Sequence, residues 1–346
     1  LICNIFEMRK KRTWPWIVKW TGIGIGTIIL VAFAFFFIGS AAPADHVDWG
    51  AAFSKAYAEK LGLDARAAYL AILDDLKIKR IRLGADWDAV EPQNEHFDFR
   101  DLDFELREAK ARNAKILLVL GQKTPRWPEC HIPSWAKPLG AGERQARILE
   151  YLDAVVARYK SHPEIRAWQV ENEPFFPFGE CPPRDDAFLK QEIATVKKLD
   201  PSRPVVVTES GEFSLWFAAA RVGDIVGTTL YRGAYFDPIH VYVSYPFPPV
   251  FYARKAWLVQ KLFGKDSINV ELQAEPWAHT FITGLTNEEM DQTMSIAQFK
   301  SNIQFAKDTG FREIYFWGAE WWYFMKEKQG NPAFWNEAKK LFPRGG

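Results

Sequence analysis

Two acidic positions, about a hundred residues apart, each follow a short apolar run and invite a chemical reading. The first is Glu173, in Ala167-Trp168-Gln169-Val170-Glu171-Asn172-Glu173-Pro174. Proline cannot donate to a sheet ladder, so the pattern predicts a strand that stops at Pro174 with Glu173 at its C-terminal mouth. The second is Glu271, in Ile268-Asn269-Val270-Glu271-Leu272, with Glu275 just beyond it. Two carboxyls at neighbouring strand ends suit chemistry at an acetal. One protonates the leaving oxygen while the other, about 5 to 5.5 Å away, attacks the anomeric carbon from the opposite face. Their mutual repulsion keeps the acid protonated while its partner is charged.

Elements must place these groups side by side. From Val47 onward, short apolar runs alternate with amphipathic segments, as in a parallel α/β sheet. The strand candidates are 47–53, 80–84, 115–120, 166–172, 205–209, 224–231, 268–272 and 313–317, and helices are expected at 65–76, 103–111, 143–159, 186–199 and 288–307. Eight such units predict a (β/α)8 TIM barrel, whose chemistry sits at the carboxyl ends of its strands. A doubly wound open sheet is the rival, but its Gly-rich phosphate turn is absent. Residues 233–250, rich in proline and aromatics, break the rhythm and read as an ordered loop over the mouth.

Three segments follow: a basic segment 1–20, an apolar segment 21–44 and a single barrel domain 45–346. The apolar segment carries no charge and is long enough to cross a bilayer. Arg9, Lys10, Lys11, Arg12 and Lys19 precede it, so the N-terminus is expected in the cytoplasm and the barrel outside. A signal peptide cleaved near Ala44, giving a secreted protein, is the alternative. Because the chain begins with Leu1, either Met8 is the start or the sequence is truncated. Export allows a disulfide between Cys130 and Cys181, which lie in loops after neighbouring strands. Net charge is only +1, from 44 basic and 43 acidic residues, which disfavours a nucleic-acid partner. His131 beside Cys130 invites a metal, but no CxxC pair or HExxH segment supports one, and no cofactor is expected. Aromatics make up 15% of the chain, with 15 Trp, which suits stacking against sugar rings as well as core packing.

The residues around Glu173 resemble the fourth strand of the clan A glycoside hydrolases, notably the cellulase-like family five and the galactosidase-like family forty-two. Arg82, Trp87, Glu91-Pro92, Phe97-Asp98-Phe99 and Leu102-Asp103 resemble the same clan's second strand and its loop. The resemblance implies a retaining hydrolase of β-glycosidic bonds in an oligo- or polysaccharide. Glu173 would be its acid/base and Glu271 its nucleophile. Asn172 would then orient the sugar 2-hydroxyl, Arg82 would brace the nucleophile, Tyr231 would hydrogen-bond it, and Trp317 would floor the reacting sugar. Strand five carries Thr208-Glu209-Ser210-Gly211-Glu212 where family five has His-x-Tyr.

Glu271 and Glu275 share strand parity, so alternation leaves both open as nucleophile. Four extended residues separate them by roughly 13 Å, and only one can meet Glu173. The clan pattern favours Glu271 and leaves Trp277 as a rim platform. Glu171 and Glu209 are expected to bond neighbouring strands. Lys123, Arg126, Trp127, Arg232 and the run Glu320-Trp321-Trp322 face the same mouth. The alternatives are a non-catalytic carbohydrate-binding barrel and an envelope-polysaccharide transglycosylase.

Overall fold

The computed structural model describes residues 14–236 and 239–342. It comprises two units, Leu1–Ser40 and Ala41–Gly346. In the first, one helix of 24 residues runs Trp14–Phe37. It is about 36 Å long at 1.5 Å per residue, and its stretch Val18–Phe37 is apolar enough to cross a membrane. The Thr27 hydroxyl is satisfied by the Ile23 carbonyl at 2.9 Å. Gly39, at φ 110°, turns the chain out of the helix, so the helix ends well short of residue 44. Cys3, Met8 and the basic cluster at 9–12 lie outside the described residues.

The second unit is built on a closed barrel of eight parallel strands. These are β1 (Asp48–Phe53), β2 (Arg80–Gly84), β3 (Lys115–Leu120), β4 (Ile165–Val170), β5 (Val205–Glu209), β6 (Ile225–Leu230), β9 (Asp266–Gln273) and β10 (Glu313–Trp317). Between β6 and β9, strands β7 (Gly233–Phe236) and β8 (Val241–Ser244) pair as an antiparallel ribbon. The segment expected to be an irregular loop is therefore partly a hairpin. Hydrophobic pairing settles the strand bounds well: β2, β3, β5 and β10 match the sequence expectation residue for residue.

Inside the barrel, Leu117, Ala167, Val206, Ile268, Val270 and Tyr315 form a packed cluster. Arg82 is in register with Leu117, and Leu117 with Ala167, so Arg82 lies on the same inner face. Outside, the helix Ala141–Tyr159 buries Ile148, Tyr151, Leu152, Val155, Val156 and Tyr159, one stripe at helical spacing. Each large apolar side chain so buried contributes about 1.5 to 3 kcal/mol. The helix expected over 288–307 is in fact two, Asn287–Met294 and Ile296–Asp308. Ser295 takes an extended conformation between them, and its hydroxyl accepts from the Gln298 N–H as the N-cap of the second.

Two irregularities shape the mouth. Strand β4 stops at Val170, earlier than Pro174 alone would require. Glu171 turns into the left-handed region at φ 57°, and its carboxylate accepts the Gln122 and Lys123 N–H groups at 2.9 and 2.7 Å. That competing backbone satisfaction ends the strand. Strand β9 carries an extra residue against both neighbours. Thr228 and Thr229 of β6 face Asn269 and Glu271, while Ile314 and Phe316 of β10 face Asn269 and Leu272. This bulge lets successive residues, Val270 in the inner cluster and Glu271 beside Arg82, both reach the barrel interior.

Candidate active site at the carboxyl ends of the strands

Arg82 organises the site from the middle of β2. Buried to 1% exposure, it donates from Nε to Gln169 Oε1 at 2.9 Å, from Nη1 to Glu271 Oε1 at 2.6 Å and from Nη2 to Asn172 Oδ1 at 2.7 Å. A guanidinium suits this task because its rigid fork addresses several acceptors at once. Tyr231, just past β6, donates its hydroxyl to Glu271 Oε2 at 2.9 Å. Both oxygens of Glu271 are thus oriented.

Glu173 is held by its backbone. Its N–H donates to Thr208 Oγ1 at 2.7 Å, and its carbonyl accepts from Lys123 Nζ at 3.1 Å. At φ 43° it is a second left-handed non-glycine residue within three positions. Such strain costs about 1 to 3 kcal/mol per residue and persists where surrounding contacts impose it. None of the described residues hydrogen-bonds its carboxyl group. Burial first, then the charges of Glu271 and Glu129, push the Glu173 carboxyl well above the ordinary range. Glu275 is not among those influences.

Glu275 is engaged elsewhere. It pairs with the Arg126 guanidinium and accepts the Tyr57 hydroxyl at 3.0 Å. Arg126 also reaches Glu320 at 3.2 Å, and its guanidinium lies 3.6 Å from the Tyr57 ring centre and 3.9 Å from that of Trp317. Trp317 therefore already has a cation against its ring. Trp277 stands edge-on to Tyr231 at 5.0 Å, and its backbone N–H donates to Thr293 Oγ1 at 3.0 Å. Trp87 does not reach the site surface. It is fully buried, donates its indole N–H to Glu91 Oε2 at 2.8 Å and packs against Trp135 and Tyr151. A side chain with no accessible area cannot contact a substrate, so Trp87 is a packing residue and not a binding one.

Other mouth residues divide by burial. Glu171 and Glu209 bond backbone, the latter accepting the Ala219 N–H at 2.6 Å. Trp321 and Trp322 are core. Cys130 and Cys181 form a disulfide that ties the loop after β3 to the loop after β4.

That tie carries a residue the motif reading passed over. Glu129, next to Cys130 and at φ 71°, is buried and accepts from Asn172 Nδ2 at 3.0 Å. Burial, then the charge of Glu271, pushes it up to about 7. The available signal was an acid beside a cysteine bonded to the strand-four loop. Glu212 is a further buried acid, accepting the Tyr231 N–H at 3.0 Å and the Tyr252 hydroxyl at 2.9 Å. It supports the residue that orients Glu271.

An eight-stranded parallel barrel with buried carboxyls, an arginine and a tyrosine at its mouth has the architecture of the clan A glycoside hydrolase barrels. Residues 109–331 match the family described as glycosyl hydrolases family 2, TIM barrel domain, and the chain belongs to that family. The clan reading stands, and the family is 2, within the same clan as family five. Human β-glucuronidase is 32% identical over 93 residues, covering 27% of this chain and 14% of that protein. β-Galactosidase BgaA of Clostridium cellulovorans is 25% identical over 166 residues, covering 42% of this chain and 25% of its own. These matches span a quarter or less of each relative's length. The endo-β-1,4-mannanase of Thermotoga petrophila shares the fold at a TM-score of 0.53, with 17% identity, over 80% of this chain and 68% of that one.

Proposed function

We propose that the protein is a retaining β-glycosidase in which Glu173 is the acid/base and Glu271 the nucleophile. The observation that carries this reading is the environment of Glu271, with Arg82 on one oxygen and Tyr231 on the other, beside a Glu173 carboxyl raised chiefly by burial and by Glu271 itself. Glu173 then holds the proton that the leaving oxygen needs. Glu271 attacks the anomeric carbon, and its negative charge disappears in the covalent intermediate. The Glu173 carboxyl becomes a stronger acid at that moment, and as a carboxylate it takes a proton from the incoming water. Relatives named β-glucuronidase and β-galactosidase support β-linked substrates. Asn172, fixed by Arg82 and Glu129, would meet a hydroxyl of the reacting sugar, and Trp277 and Trp317 would supply apolar ring surface.

The substrate is read as an oligo- or polysaccharide met outside the cytoplasm. The helix Trp14–Phe37 supports a membrane anchor, and the disulfide supports an oxidising compartment. Proton NMR of the first product formed from an aryl β-glycoside tests the mechanism. Release of the β-anomer is expected, and initial release of the α-anomer would overturn the double displacement.

A further inference from the structure

The helix Arg100–Ala111 turns Leu102, Glu105, Leu106 and Ala109 inward. Three of these are what a buried stripe requires, and the fourth is a carboxylic acid. Glu105 is 8% exposed, and none of the described residues hydrogen-bonds or ion-pairs with its carboxyl group. It lines a cavity of about 130 Å³ at the ends of β1 and β2, whose wall also includes Arg82 and Trp317. The cavity therefore adjoins the Glu271 centre.

Its other charged groups are already matched. Each nitrogen of Arg82 donates to the site described above, and Arg126 is held by Glu275 and Glu320. Lys55 pairs with Glu59 and Asp101, Asp98 with Arg100, and Asp86 accepts the Thr124 hydroxyl at 2.5 Å. Lys55, Arg82 and Arg126 being engaged, the cavity has no free cation among the described residues to receive an anionic sugar such as a uronate. Among the described residues, no three acids, histidines or cysteines converge as metal ligands would. The volume admits one substituent rather than a whole ligand, for which pockets run to about 300 Å³ or more. Apolar wall residues such as Phe53, Val90 and Leu102 make an unpartnered acid costly without an occupant.

We propose that this cavity is a subsite for a primary ammonium group of an amino sugar, with the Glu105 carboxylate as counter-ion. The assignment rests on the glycosidase reading for its place in catalysis, but not for binding. Burial, and then Asp101 and Asp86, push Glu105 up to about 8, so the empty site is neutral at pH 6.5. On docking, the carboxyl O–H breaks, the proton passes to solvent and the carboxylate pairs with the ammonium. Binding should therefore release up to one proton.

The test is calorimetry on the full chain in detergent at pH 6.5, with glucosamine, N-acetylglucosamine and glucose, in buffers of different ionisation enthalpy. Glucosamine should bind at least about tenfold tighter than the other two and release a proton, and Glu105→Gln should abolish both differences. Equal affinity for the three sugars, or a preference that survives Glu105→Gln, would overturn the assignment. If that variant does not fold, proton release by the unmodified protein decides. Aryl β-glucosaminide and β-glucoside turnover separates the two readings. Amine-selective binding without turnover of any glycoside keeps the subsite and defeats the hydrolase, whereas hydrolysis without amine selectivity does the reverse.

Discussion

Arg82 and Glu271 meet at 2.6 Å across the barrel interior, from strands that are not neighbours, and both are almost wholly buried. Breaking such a pair leaves an uncompensated charge, which costs about 3 to 5 kcal/mol. Arg82→Met should therefore lower stability by that order and reduce kcat/KM by roughly a thousandfold, the scale of losing one preorganised electrostatic contact. The double variant Arg82→Met, Glu271→Met should regain much of the stability in urea denaturation while remaining inactive. An active double variant would remove Glu271 from the mechanism.

The two carboxyls should separate by leaving group. Glu173→Gln is expected to lower turnover of an unactivated oligosaccharide by about a hundred- to ten-thousandfold, yet to retain cleavage of dinitrophenyl glycosides, whose leaving group needs no proton. Glu271→Gln should lose both. Steady-state kinetics with the two substrate types reads the difference, and the opposite pattern would exchange the roles.

Glu129 links the site to pH. Its folded pKa, about 7, lies above the unfolded value of about 4.3. Between those values the native state binds more protons, so stability is fully present below the unfolded pKa and falls as pH rises to about 7. Glu129→Gln should consequently raise stability by roughly 3 to 4 kcal/mol at pH 8 and leave it nearly unchanged near pH 4. Urea midpoints at the two pH values check this, and an equal effect at both would contradict it.

Removing the Cys130–Cys181 bridge by double serine substitution should cost about 2 to 4 kcal/mol. It should also lower kcat/KM, because the freed loop carries Glu129 to Asn172. Activity that persists in a destabilised variant would confine the disulfide to stability.

The N-terminal helix should keep the protein in the membrane pellet through alkaline carbonate washing. Release into the wash, with a new N-terminus near Ala44 found by mass spectrometry, would establish cleavage instead.

Local pattern was enough for much of this. Apolar runs such as 205–207 and 116–120 suit strands buried on both faces, and their eightfold alternation with amphipathic helices suits a barrel. The positions of Asn172 and Glu173 beyond β4, and the cysteine pair, were legible because strand ends and their loops share a mouth. Trp87 misled because its residue type suits sugar stacking and packing equally, and only burial distinguishes them. Glu129 was illegible because its relation to Asn172 crosses 43 residues and depends on a loop with no repeating pattern.

Local residue patterns specify the fold class, the acidic strand ends and the apolar N-terminal helix, since each arises from interactions among near neighbours or from simple periodicity. The folded arrangement sets which partners each acid takes. The extra residue in β9 brings Glu271 to the inner face where alternation alone would not, and Arg126 engages Glu275. The same folding leaves the Glu105 carboxyl, inside a helix stripe, without a hydrogen-bond or ion-pair partner among the described residues. These outcomes depend on register and on charge pairing between distant strands and loops, which no local spacing encodes.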